Sequence, residues 1–469
     1  MASTEAPPNQ TATGNNSDPV EGHASFFDGI LTIGSVTLPD GTNSPVHIRG
    51  EDVIFATGRV QEKGGSGYTI FSLAPIDPTP EKPFSLRTTK CATLPENFLV
   101  QHQINGLPSH LDPARNICVL VSTLSGTGLG VSFENVLATI LEGIGLPESS
   151  YNVVRTESTE SVRNFARMDL LVGANEGHQQ TVVMLSGDGG MADIINGLLQ
   201  DAERTSEYMP PILSLLPLGT GNALFHSMHR AFQLPSMYTQ ALRTLIKGIP
   251  KPLPTFRVRF SSGARLITDE GQKATPLPKN TLYGAVVASY GLHATLVADS
   301  DTKEYRTHGD KRFGLVAKDL LFPDDKAPPH AYEAELTLSS EGHTHKLAAT
   351  THGYILGTLA SNLEKTFTIS PESKPLDGSL RVVRFGAFSG EETMEIMKAA
   401  YQDGAHVKMD NVEYQALDSF KVKFLEKGDS WQWRRCCIDG LMVGVEVDGW
   451  MDVSMVEKGA HAVEIVAPG

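Results

Sequence analysis

Cysteine is scarce in this chain. The 469 residues hold four, Cys91, Cys118, Cys436 and Cys437, with neither the paired spacing of a zinc site nor the density of a disulfide framework. That usage suits a reducing compartment. Long apolar runs are also missing, since no stretch reaches the roughly 18–20 apolar residues of a spanning helix. The N-terminal "MASTEAPPNQTATGNNSDPVEGHA" has neither the basic start nor the apolar segment of a secretory signal. The expected location is therefore cytoplasmic, with any membrane contact peripheral. Positive charge is short as well: 39 Lys and Arg face 54 Asp and Glu, a formal net charge of −15. Nucleic-acid affinity rests on Lys and Arg neutralising phosphates, so a general polyanion-binding role is excluded, though a local basic pocket is not.

What is present is enough apolar residue, 40%, to bury a large core over two or three domains. Residues 1–24, rich in Ser, Thr, Asn and Pro, read as a disordered tail. Residues 25–110 read as a β-rich segment of short strands between Gly and Pro turns: "GILTIGSVTL", "PVHIRG", "DVIFATGRV" and "YTIFSLA". Over 111–253 the period changes, and the runs "NICVLVS", "TVVML" and "ILSLLPL" alternate with helical stretches such as "SFENVLATILEGI". That is the pattern of a parallel sheet covered by helices. Residues 254–469 return to short strands, from "TFRVRF" to "HAVEIVAP", and predict a mainly antiparallel β domain interrupted by helices near 300–321 and 391–403.

The chemistry concentrates where strands hand over to helices. After "TVVML" comes "SGDGG" (186–190), and Met191, Ile194, Ile195, Leu198 and Leu199 then follow at the spacing of one helix face. A loop at a helix N-terminus presents free N–H groups and the positive end of the dipole, and glycines let a phosphate approach closely. An aspartate there repels phosphate unless it holds a metal-bound water or takes a proton from an attacking hydroxyl. The bland alternative is a tight turn in which Asp188 caps the helix. A second handover, "LLPLGTGNALFHSM" (215–228), sets Gly219, Thr220 and Gly221 after another strand-like run, and a third, "VLVSTLSGTGLG" (119–130), does the same. The first two are expected outside the carboxyl ends of parallel strands, where such sheets bind ligands. The third lacks the spacing and the acidic partner of a dinucleotide fingerprint.

The ordered set "STLSGTG", "VVRTES", "SGDGGMADIINGL" and "PLGTGNAL", followed by "ASYGLHATLVADSDTKEYRTHGDKRFG", resembles the catalytic region shared by diacylglycerol, sphingosine and ceramide kinases, closest to the sphingosine kinase branch. The resemblance spans about 115–450. It implies a fold of α/β plus β type: an α/β nucleotide-binding domain of the lipid kinase/NAD kinase-like type followed by a β-sandwich, with the β-rich segment added at the N-terminus. It implies ATP and Mg²⁺ as cofactors and a lipid, a sphingoid base or diacylglycerol, as substrate. By matching position, Asp188 would be the general base and, with Asp193, the metal-linked carboxylate. Ser122, Thr156, Ser186, Gly187, Gly189, Gly219, Thr220 and Gly221 would hold nucleotide, and Arg306 and Arg312 would clamp phosphates. Asp299 would meet the lipid head, a carboxylate suiting a cationic sphingoid amine.

The chain departs from the family pattern at several points. Ser122 stands where Asn is common, Gly190 where diacylglycerol kinases often carry Thr, and Asp193 where Glu is usual. The C-terminal Asp-Gly-Glu is replaced by "IDGL" and "VDGW", of which Asp439 is the expected nucleotide contact and Asp448 the alternative. Bland readings stand beside these. Arg306 and Arg312 would be surface partners of Glu304 and Asp310, and Asp299 would cap a helix starting near Ser300. A catalytically silent lipid- or nucleotide-binding protein and a soluble nucleotide-cofactor kinase are the rival functions.

Overall fold

The structure, a computed structural model, describes residues 24–37, 43–60, 66–74, 83–123, 128–200, 203–309, 311–428, 431–457 and 459–469. Residues 1–23 of the expected tail lie outside that set. The chain divides into two compact units, Met1–Asp77 with Ser85–Asn105, and Pro78–Phe84 with Gly106–Gly469.

The first unit holds a three-stranded antiparallel sheet of Ala24–Phe27, Ile30–Thr37 and Asn43–Arg49. It also holds a four-stranded sheet ordered Ser85–Cys91, Ser66–Ala74, Val53–Val60, Gln103–Ile104. Asp28 and Gly29, both with positive φ (49° and 72°), form the two-residue turn between the first two strands, the backbone that matches the twist of a tight hairpin. Leu31, Ile33, Val53, Ile70 and Phe98 make its apolar core. Phe98 comes from a helix, Glu96–His102, that the strand-like reading of this segment did not foresee.

The second unit starts with a six-stranded sheet ordered Ile249–Pro252, Glu464–Ala467, Ile212–Pro217, Gln180–Ser186, Asn116–Val121, Asn152–Arg155. Every pairing is parallel except that of Ile249–Pro252. Gln180–Ser186 and Ile212–Pro217 are buried along their whole length, which is why they read as continuous apolar runs rather than alternating ones. The chain leaves Asn116–Val121 toward one edge, to Asn152–Arg155, and then crosses back to Gln180–Ser186 on its other side. Strand order therefore reverses between these two neighbours, and the crevice at their carboxyl ends is where open α/β sheets take ligands.

Two larger antiparallel sheets follow, of seven and eight strands. They face each other: Tyr290 of Val287–Gly291 packs edge-on against Phe424 of Ser419–Phe424, ring centroids 4.9 Å apart, and Gly357 leaves room only for Phe420 of the opposite sheet. Helices Lys311–Leu321 and Gly390–Ala400 interrupt the strands close to the expected positions, while a further helix, Leu292–Ser300, lies before the stretch where the first was expected. The strand within "HAVEIVAP" does not belong to these sheets. Glu464–Ala467 returns to the parallel sheet, pairing with Ile212 and Leu213 on one side and Ile249–Pro252 on the other, so a boundary at residue 253 is crossed by the last strand. Among the described residues no helix is long and apolar enough to cross a membrane.

Candidate functional site

The parallel register sets Ser186 opposite Pro217 and Leu185 opposite Val121, so three strand-to-helix loops emerge at one edge. In the first, Gly187 precedes the helix Asp188–Leu199, whose Met191, Ile194, Ile195 and Leu198 are fully buried. Gly190 sits against the Ser186 hydroxyl with no space for a Cβ. The second loop is tied to the first, since the Leu218 N–H donates to the Ser186 carbonyl at 3.1 Å. A Cβ on Gly219 would lie 2.6 Å from Gly187 Cα. Asn222, in the left-handed region at φ 54°, locks the second loop from within. Its Oδ1 accepts from the Gly219 N–H at 3.0 Å and its Nδ2 donates to the Gly219 carbonyl at 2.8 Å. Thr220 and Gly221 lie half-exposed on this turn.

Of the third loop, residues 124–127 fall outside the described set, but its entry is fixed. The Ser122 N–H donates to the Leu185 carbonyl at 3.1 Å. The Thr123 N–H donates to the buried Thr156 hydroxyl at 2.9 Å, and the Thr123 hydroxyl to the Thr156 carbonyl at 2.6 Å.

Asp188 does not cap its own helix. Its Oδ2 accepts the Ala223 N–H at 2.6 Å and its Oδ1 the Leu224 N–H at 3.1 Å, so it bridges the first loop to the helix that follows the second. Burial raises its pKa, opposed by those two N–H groups. Asp439 is buried at a left-handed turn (φ 48°). It accepts from the N–H groups of Ala285 (2.6 Å), Val287 (2.6 Å) and Val286 (3.1 Å). Burial pushes its carboxyl up to about 7, and the charge of Asp188 adds to the rise. Asp448 is exposed and paired with Lys427 at 2.6 Å, so only Asp439 of the two C-terminal candidates is near Asp188. Asp193 is raised to about 6, by burial first, and holds Arg163 at 3.3 Å.

Asp193, Asp299 and Arg306 line one cavity of about 850 Å³, together with Arg163, Asp301 and Arg435. Asp299 caps nothing: it lies in the last turn of Leu292–Ser300, while Thr302 caps the next helix through the Tyr305 N–H. Its carboxylate is paired with Arg435 at 2.8 Å. Arg306 grips Asp301 with both arms of its fork (3.0 and 2.7 Å), and Arg312 reaches the same carboxylate at 3.4 Å. The partner of both arginines is thus Asp301, in place of Glu304; Asp310 lies outside the described residues. Neither glycine loop is part of this cavity wall, although Gly440, next to Asp439, is.

Sequence reasoning missed Asn222, Arg163, Asp301 and Arg435. Asn222 carried a signal, because Asn after Gly-Thr-Gly suits a left-handed turn. The others are ordinary charged residues whose roles depend on neighbours distant in the chain. Among the described residues no group of three or more His, Cys, Asp or Glu side chains is arranged to hold a metal ion.

Residues 116–258 match the family described as the diacylglycerol kinase catalytic domain. The chain is 25% identical over 173 residues to sphingosine kinase 1 from Homo sapiens, covering 36% of this chain and 39% of that protein. It is 29% identical over 165 residues to sphingosine kinase 2 from Homo sapiens, covering 34% of this chain and 24% of that protein. The matched region thus spans less than half the length of these curated relatives. The crystal structure of a diacylglycerol kinase from Bacillus anthracis str. Sterne aligns over 75% of this chain and 97% of its own, at 10% identity and a TM-score of 0.44.

Proposed function

We propose that this chain, which belongs with the sphingosine and diacylglycerol kinase-like lipid kinases, transfers the γ-phosphate of ATP to the primary hydroxyl of a lipid, with Asp188 as general base. The observation that carries this reading is the direct contact of Gly187 with Gly219, which brings two backbone cradles together beside a fixed carboxylate. The glycines of the two loops let a chain of phosphates approach at backbone distance.

Each Asp188 oxygen accepts one backbone N–H and keeps a second lone pair for the proton of an attacking hydroxyl. Burial makes the carboxylate a stronger base than one in water. The hydroxyl oxygen forms the new bond to the γ-phosphorus, the bond to the β-phosphate bridge breaks, and the proton passes to Asp188. Positioning and charge neutralisation supply most of the acceleration in such transfers. Arg306 and Arg312, oriented by Asp301, are the proposed phosphate clamps, a task suited to planar, permanently charged forks.

Asp188 and Asp193 are the residues that would hold magnesium. Magnesium keeps several waters and binds largely through substrate phosphates, so one carboxylate from the loop and one from the cavity wall would suffice. When bound, the ion neutralises charge on the transferring phosphoryl group.

A sphingoid base is the first choice of acceptor, on the names of the relatives and on Asp299 as partner for its amine. One observation favours a neutral head instead: Arg435 already neutralises Asp299, which suits diacylglycerol or ceramide. The test is the purified chain with labelled ATP·Mg²⁺ and sphingosine, ceramide, diacylglycerol and NAD in parallel. Phosphorylation of sphingosine supports the first reading and of the neutral lipids alone the second. Labelling of NAD alone, or of nothing, overturns lipid kinase activity.

A further inference from the structure

The glycine loops occupy the carboxyl ends of the parallel strands. At the opposite ends lies a separate cavity of about 420 Å³, lined by Arg115, Arg204, Tyr208, His461 and Glu464 among others. Arg115 immediately precedes the strand Asn116–Val121, and Glu464 begins the last strand.

Both guanidiniums are held in place by uncharged acceptors. Arg115 donates to Thr181 Oγ1 at 3.0 Å, Gln179 Oε1 at 3.0 Å and the Gln180 carbonyl at 3.2 Å. Arg204 lies over the Tyr208 ring, 5.1 Å from its centroid, and donates to the carbonyls of His461 (3.1 Å) and Ala460 (3.0 Å). Each fork has five N–H donors, so both retain unused ones. Both arginines are half-buried. Partial burial lowers the Arg115 pKa, and the carboxylates of Glu464 and Asp112 oppose the fall. Glu464 is the one carboxylate among the described lining residues, so within the cavity wall two guanidiniums face one carboxylate, while Asp112 acts on Arg115 from outside it.

We propose that this cavity binds a phosphate group, free or as the phosphomonoester head of an acidic lipid, between Arg115 and Arg204. Two fixed planar forks match phosphate geometry, and the Tyr208 ring leaves an apolar wall for an organic substituent. The ligand ties the segment entering the last strand, which Arg204 holds through residues 460 and 461, to the starts of the neighbouring strands. Binding therefore stabilises the whole sheet. The site is independent of the kinase reading.

The test uses the full chain with a saturating non-hydrolysable ATP analogue and Mg²⁺, so that the glycine loops do not compete. Inorganic phosphate is titrated by calorimetry and thermal unfolding. Phosphate is expected to raise Tm, the double variant R115Q/R204Q to weaken binding by at least about tenfold, and E464Q to tighten it several-fold at low salt, less at high salt. A phosphate response unchanged in R115Q/R204Q overturns the site. If that variant fails to fold, E464Q decides, and weaker or unchanged phosphate binding there overturns it. Co-sedimentation with phosphatidylcholine vesicles, with and without phosphatidic acid, separates the two sources: sedimentation that depends on phosphatidic acid and falls as phosphate is added assigns a lipid head, and its absence assigns free phosphate.

Discussion

Gly187 and Gly219 touch backbone to backbone: a Cβ on Gly187 would lie 2.7 Å from Gly219 Cα, and one on Gly219 only 3.0 Å from Asn222 Oδ1. The two loops are therefore one structural object, and a side chain at either glycine pushes them apart.

Gly219→Ala is expected to cost about 1–3 kcal/mol by overpacking and to weaken ATP binding by more than that loss of fold accounts for. Denaturant unfolding and nucleotide titration on the same samples measure the two effects. Unchanged stability would mean the loops separate freely.

Asp188→Asn keeps one acceptor oxygen for the Ala223 or Leu224 N–H but turns an NH₂ toward the other, at about 1–3 kcal/mol. Turnover should fall by about 10²–10⁴ if the carboxylate takes the hydroxyl proton. Retained turnover in a folded variant assigns Asp188 a structural role only. If the parent chain has the proposed activity, the acid limb of its kcat/KM should lie above that of an ordinary carboxylate, because burial raises the Asp188 pKa.

Asp193 and Asp439 are raised to about 6 and about 7, so between roughly pH 4 and 7 the folded chain holds protons that the unfolded chain has released. Their contribution to stability therefore falls as pH rises through that window, the reverse of an acid-sensitive salt bridge. For Asp193 the full effect is about 3 kcal/mol, at ~1.4 kcal/mol per pKa unit. The difference between parent and Asp193→Asn unfolding free energies should change between pH 4 and 6 and level off above. A flat difference would refute the assignment.

Arg435→Met exposes the Asp299 carboxylate to the cavity. If Asp299 reads the lipid head, the kcat/KM ratio of sphingosine to diacylglycerol should rise about tenfold, worth ~1.4 kcal/mol. No change in the ratio removes Asp299 from substrate recognition.

Local pattern made some parts readable and left others hidden. Continuous apolar runs announced Gln180–Ser186 and Ile212–Pro217, and the spacing of Met191, Ile194, Ile195 and Leu198 announced the helix between them, because burial on both faces and a 3.6-residue period leave marks within a few residues. The destination of Glu464–Ala467 left no such mark. Its composition suits any buried strand, and only pairing with Ile212 and Leu213 assigns it to the parallel sheet. The ion pairs had the same fate: Asp301 gathers Arg306 and Arg312, and Asp299 meets Arg435, choices made by distance in space among many nearby charges in sequence.

The sequence by itself determined the strand-loop-helix units, the glycines within them and the aspartate at position 188, since each is a matter of neighbours along the chain. Only the tertiary structure decided that Gly187 meets Gly219, that Asp188 anchors the helix after the other loop, and that Asp439 rather than Asp448 is buried near it. Those outcomes depend on parallel pairing and on the burial of charge, which only the assembled sheets can fix.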